Sequence, residues 1–158
     1  MRKKLYLLIK EALLSLTENN TTLIKDVNYW NEQIMYAMEE QPFSTPSVFL
    51  EFNTINWTHQ LQGVKEADIE IRLHVITPSR VGDWQEAINN LDIADKINQS
   101  LTGLCTDNIS ALQLLRSETD HNFDELQDNV EIYSTHVTDF VAYSKHNNVK
   151  VIPMKNNE

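Results

Sequence analysis

The sequence predicts an α+β domain: a mainly antiparallel sheet of four to five strands with helices packed on one face. Three observations predict it. Residues 67–77 alternate, with Ile69, Ile71, Leu73 and Val75 opposed to Asp68, Glu70, Arg72 and His74. A period of two with one apolar side is the pattern of a half-buried antiparallel strand. Residues 3–16 and 84–102 instead carry apolar side chains at three- and four-residue spacings, the pattern of amphipathic helices. Pairs of strand-like segments lie on either side of the second helix, an order that describes a sheet covered by helices.

The elements follow in order. In residues 3–16, Leu5, Leu8, Ile9, Ala12, Leu13 and Leu16 form one stripe, and the polar residues 17–22 end the helix. Residues 23–29 read as a short strand, with Leu23, Lys25, Val27 and Tyr29 opposed to Ile24, Asp26 and Asn28. Residues 31–40 favour a short helix through Ile34, Met35 and Met38. Pro42 and Pro46 bracket a loop, and each pushes its preceding residue toward extended geometry. Residues 47–52 place Val48, Leu50 and Phe52 on one face of a strand. This strand is joined to residues 67–77 through a segment in which Gly63 is the glycine available for a tight turn.

Pro78 ends the second strand. Asp83, with Glu86 three residues on, is a capping box in its Asp variant. It opens a helix from Trp84 to about Thr102, for which the expected buried stripe is Ile88, Leu91, Ala94, Ile97, Leu101 and Leu104. Gly103 stands where a C-terminal cap belongs. Two strands close the domain. Residues 110–117 contain Leu112, Leu114 and Leu115, and residues 130–143 are rich in β-branched and aromatic side chains. The alternation slips near residues 134–137, which predicts a bulge or bend there. The acidic residues 118–129 read as the loop between these strands. The chain thus divides into a single domain, 1–146, and a polar tail, 147–158. The tail surrounds Val149, Val151 and Ile152 and reads either as flexible or as a strand added to the edge of another copy.

Composition narrows the function classes. A chain of 158 residues with 41% apolar content suits one packed domain. Its single cysteine, Cys105, closes no intrachain disulfide and reads as a small buried apolar residue. Arg2, Lys3 and Lys4 precede an apolar run that Lys10 and Glu11 stop short of a secretory core, and no segment reaches the length of a membrane span. A cytosolic product is expected, so the five Asn-x-Ser/Thr triplets read as plain polar surface. The net charge of −10 argues against binding nucleic acid by phosphate neutralisation, and fits a surface that repels polyanions.

The densest polar chemistry is Glu118, Asp120, His121, Asp124, Glu125, Asp128 and Glu131. Carboxylates and an imidazole can ligate metal. However, neither the Ca²⁺-loop spacing nor a His-x₃-His pair is present, so a solvated loop, a subunit contact or a channel lining are the readings kept. The other histidines, His59, His74, His136 and His146, have no nucleophile or acid at a motif spacing. There is no G-x-S-x-G, P-loop or G-x-G-x-x-G, and three glycines in all leave little to build a phosphate cradle. No enzyme activity, cofactor or metal is expected. Trp30, Trp57 and Trp84 fall at element edges, where they either cover the core or anchor an interface. Trp57, in a loop of Asn, Gln and Thr, is the interface candidate, together with Glu118, Asp120, Asp124, Glu125 and Asp128.

Four strings carry a family resemblance: PSVFLEF (46–52), ADIEIRLHVIT (67–77), AINNLDIADKINQSLTGL (87–104) and NVEIYSTHVTDFVAY (129–143). With the element order, they resemble the tail terminator, or tail completion, proteins of long-tailed bacteriophages, in particular versions from prophages of Bacteroides-like bacteria. The resemblance covers about 140 residues in pattern and includes no catalytic motif. It implies a homo-oligomeric ring, commonly a hexamer, that caps the tail tube, stops its growth and meets the head-tail connector protein. The partners are then the chain itself, the tail tube protein and the connector, with no membrane and no specific nucleic acid. The location is the bacterial cytoplasm during assembly and the virion tail afterwards. The resemblance also gives the acidity a role, since a lumen lined by carboxylates repels DNA phosphates. The competing readings are a head-tail connector or neck protein and a small cytosolic ligand-binding domain.

Overall fold

The computed structural model describes residues 1–32, 43–60, 63–80, 82–120 and 125–140. Helix α1 (Arg2–Leu14) turns Leu5, Ile9 and Leu13 inward, with Leu8, Ala12 and Leu16 packed beside them. It leads into a separate two-residue hairpin of β1 (Thr17–Glu18) and β2 (Thr21–Thr22). Asn19 and Asn20 form its turn with φ of 50° and 63°, the left-handed pair that a tight hairpin requires and asparagine tolerates.

The main sheet contains β3 (Asp26–Tyr29), β4 (Ser47–Phe52), β5 (Thr58–His59), β6 (Lys65–Pro78), β7 (Gln113–Asp120) and β8 (Leu126–Asp139). Its order is β3-β4-β6-β8-β7. β5 pairs with the first residues of β6, continuing the edge that β4 leaves after Phe52. Gly63, at φ 82°, lies in the turn between β5 and β6. Every ladder is antiparallel except β3–β4. The structure is therefore α+β and mainly antiparallel, with more strands than the four to five expected. The additional strands are two residues long, too short for alternation to register in the sequence.

Helix α2 (Trp84–Leu101) packs on the same sheet face as α1. Leu5, Ile9 and Leu13 of α1 and Ile97 and Leu101 of α2 share one core with Val48, Leu50, Ile69, Ile71, Leu73, Val75, Tyr133 and Val137. Burial of each such side chain is worth about 1.5–3 kcal/mol, and this face holds most of the apolar burial. The alternation of β6 is as expected, since Ile69, Ile71, Leu73 and Val75 are buried against the helices.

Several expectations are corrected. The strand expected over residues 23–29 is only Asp26–Tyr29, and its buried residues are Ile24 and Val27. Lys25 N–H donates to Pro46 O, so pairing toward β4 starts at an irregular segment. Asp83 caps α2 by accepting from Gln85 and Glu86 N–H, but the Glu86 carboxylate reaches back to Arg80 N–H rather than to Asp83. Along α2, the inward row is Asn90, Ala94, Ile97 and Leu101, while Ile88 and Leu91 are exposed. Asn90 takes the inward position by donating to Pro78 O at the end of β6.

The acidic segment expected as a loop over residues 118–129 is strand at both of its described ends: Glu118–Asp120 belong to β7 and Leu126–Asn129 to β8. Glu118 meets Arg72 of β6, and Asp128 meets His74 of β6, contacts between distant residues that a linear reading cannot see. The bulge expected near residues 134–137 is instead in β7, where the register shifts between Leu114 and Arg116, the partners of Tyr133 and Ile132. β8 runs unbroken to Asp139. Cys105 is exposed rather than buried. The helix expected at residues 31–40 and the tail 147–158 lie outside the described residues, except Asn31 and Glu32.

Candidate assembly surfaces

Among the described residues, no group of three His, Cys, Asp or Glu side chains could hold a metal ion, and no helix is long and apolar enough to cross a membrane. The chemistry of the molecule lies instead on the sheet face away from the helices and along the β7 edge.

On the open face, cross-strand register brings charges together. Arg72 of β6 sits 3.5 Å from Glu51 of β4 and 3.4 Å from Glu118 of β7. Arg116 pairs with Glu118 at 2.9 Å and with Glu70 at 3.6 Å. The hydrogen bond from Arg116 holds the Glu118 carboxyl below the usual carboxylate range, and the charge of Arg72 adds to it. The same bond raises Arg116. Both arginines are ladder partners of Ile132 on β8, which is fully buried between them.

One row further, His74 Nδ1 lies 2.8 Å from Asp128 Oδ2, and its Nε2 lies 3.6 Å from Glu51. The ring of Trp30 stacks on His74 at 3.7 Å between centroids and 5° between planes. Phe43 and Phe49 complete this outer apolar cluster with Ile76 and Leu126. His74 and Asp128 are buried under it. The arrangement fixes β4, β6 and β8 to one another. His74's polar partners in it are the carboxylates of Asp128 and Glu51.

The residues singled out from sequence are thus divided. Glu118, Asp120 and Asp128 share the open face of β7 and β8, with Asp120 opposite Asp128 in the ladder. Glu118 is exposed and Asp128 is buried. Glu125 is exposed, and its backbone carbonyl accepts from Ser79 N–H. Asp124 lies outside the described residues. Trp57 is elsewhere, half-buried against the main core, where it lines an open groove with Arg2, Tyr29, Phe52, Asn53, Thr54 and Ile55.

Trp84 is the exposed tryptophan. It is 71% exposed at the first position of α2, followed on the same flank by Ile88 at 44% and Leu91 at 59%. Leu114 and Leu115 of β7 are also exposed. The sequence signal for this surface was present: Trp84, Ile88 and Leu91 are spaced as one helical stripe. Spacing alone does not say whether a stripe faces the core or the solvent.

No protein-family model matches the chain, and no curated protein matches it in sequence. Among solved structures, the fold is similar to a chain in the virion of a native gene transfer agent particle. The TM-score is 0.55 at 12% identity, over 85% of this chain and 95% of that one.

Proposed function

We propose that this protein is a structural component of a phage-like virion, of the tail-terminator kind: a ring that caps the tail tube and joins it to the head connector. One observation carries the reading, the agreement of fold with a chain of a gene transfer agent virion across nearly the whole of both. Two features of the molecule are consistent with it. An apolar helix flank and a neighbouring sheet edge stand exposed, as a subunit contact requires. The net charge of −10 suits a protein placed around passing DNA. In this reading the chain does no chemistry. It acts through surfaces that meet its own copies, the tube and the connector, and a heterologous contact whose rotation closes gives the ring.

The test is removal of the gene from a particle-producing strain, followed by electron microscopy of the tails. Overlong, headless tubes are expected, because nothing stops tube growth. Tubes of normal length detached from filled heads would move the assignment to a connector or neck protein. Normal particles would rule out a virion role.

A further inference from the structure

We propose that the free edge of β7, together with the adjoining flank of α2, receives the C-terminal segment of a second copy as an added strand. The proposal rests on the reading of the chain as a self-assembling virion subunit and names the contact.

The two edges of the sheet are treated differently. At β3, the outward carbonyl of Val27 accepts from Tyr6 Oη at 3.2 Å and from Lys10 Nζ at 2.8 Å, so α1 side chains close that edge. At β7, no described strand pairs with the outer side, and Gln113 through Thr119 are all exposed. An uncovered edge of this length is a template for another strand.

The edge has two chemically distinct faces. Glu131 of β8 accepts from Asn98 of α2 and from Ser117 of β7, so the Asn98 side of α2 looks toward β7. At 3.6 residues per turn, Trp84, Ile88 and Leu91 fall on that same side of the buried row. Lys96, which pairs with Glu18, falls on the other. A strand added to β7 therefore meets Leu114 and an apolar helix flank on one face, and Arg116 and Glu118 on the other.

The C-terminal segment has the matching pattern. Val149 and Val151 alternate with Lys150, giving an apolar side and a basic residue on the reverse. Residues 141–158 hold Lys145, Lys150 and Lys155 against Glu158, a charge of +2, which leaves −12 on the rest of a chain of −10. The attraction is thus between a basic segment and an acidic body. The chain beyond β8, which ends at Asp139, has room to leave its parent: eight residues, 141–148, could span at most about 26 Å. Donation to a neighbour rather than to the parent makes the contact head-to-tail, the type that closes a ring.

The test uses two full-length variants in sedimentation velocity across concentration and salt. Val151→Asp leaves the edge intact and disables the donated segment. Leu115→Lys disables the edge and leaves the segment intact. The expected result is self-association of the parent chain, weakened by salt, and about 100-fold weaker association of either variant alone, with unchanged circular dichroism. An equimolar mixture of the variants should form dimers and nothing larger, because it contains one working edge and one working segment per pair. A monomeric parent, as docking onto its own chain would give, overturns the proposal. So does loss of association in Leu115→Lys but not in Val151→Asp, which would indicate edge-to-edge pairing of β7. A mixture that stays monomeric also overturns it. Tail length in the gene-deletion experiment is a separate readout, so failure of this contact and failure of the virion assignment are distinguishable.

Discussion

Tyr133 lies at the middle of β8 with its phenol in the core, hydrogen-bonded to Asn98 Oδ1 on α2. Burial pushes its ionisation well above the usual phenol range, and the nearby charge of Glu131 adds to the effect. A group whose folded pKa is raised contributes stability that is complete below the unfolded pKa, near 10 for tyrosine, and is lost as pH rises. Tyr133→Phe should be less stable than the parent at pH 7 by about 1 kcal/mol, one hydrogen bond. Above pH 10 the parent should lose up to about 1.4 kcal/mol per pH unit from this residue alone. The two urea-unfolding stabilities should therefore meet within about one pH unit above 10 and then cross. Parallel curves would show that the phenol ionises in the folded state at its ordinary pH. At this scale the sequence was partly legible. Alternation put His74 on the polar side of its strand, but its hydrogen-bonding contact with Asp128, 54 residues away, could not be read. Asp128 stood in a stretch so acidic that it resembled a solvated loop, and only cross-strand register turns such a residue into a buried partner.

Helix α2 separates what spacing dictates from what packing decides. Its start was legible because the Asp83 cap is local chemistry, and the Asp83 carboxylate does accept from two N–H groups of the first turn. Its buried face was not, because the apolar residues of the first half, Trp84, Ile88 and Leu91, form a stripe rotated away from Ala94, Ile97 and Leu101. Asn90 fills the inward place by bonding Pro78 O, a possibility that hydrophobicity does not encode. The acidic ends of β7 and β8 were missed for a related reason: Glu118, Asp120 and Asp128 show no apolar alternation, although Asp128 is buried and bonded to His74. The contrast within α2 is measurable. Ile88→Asp and Leu91→Asp should change unfolding free energy by no more than about 0.5 kcal/mol each, as exposed substitutions do. Ile97→Ala, at a fully buried position, should cost about 2–5 kcal/mol. If the two aspartate variants unfold as readily as Ile97→Ala in urea titrations, the flank of α2 is covered within the monomer and is no docking surface.

The whole molecule depends on β6 and β8. They pair along fourteen residues each, from Lys65 with Asp139 to Pro78 with Leu126; β4, β5 and β7 each pair directly with one of them, and β3 joins through β4. The fold class was legible for this reason: β6 carries the clearest alternation in the chain and is the strand around which both helices and both halves of the sheet assemble. The open edge of β7 was not legible, because an exposed edge differs from a paired one only after the strand order is known. Unfolding should accordingly be one cooperative event. In denaturant, far-UV circular dichroism should report the sheet and helices. Tryptophan fluorescence should report mainly Trp30, stacked on His74, and Trp57, packed on the main core, since Trp84 is solvated in either state. The two transitions should coincide in midpoint and slope. Folding should take milliseconds to seconds, because most pairings join residues distant in sequence. If a neighbour's segment docks on β7, the common midpoint should also rise with protein concentration, since an associated native state is stabilised by mass action and the unfolded chain is not. A concentration-independent midpoint, in the range where the parent chain sediments as an oligomer, would mean that the subunits meet through a contact that does not stabilise the fold, and β7 would then be the wrong edge.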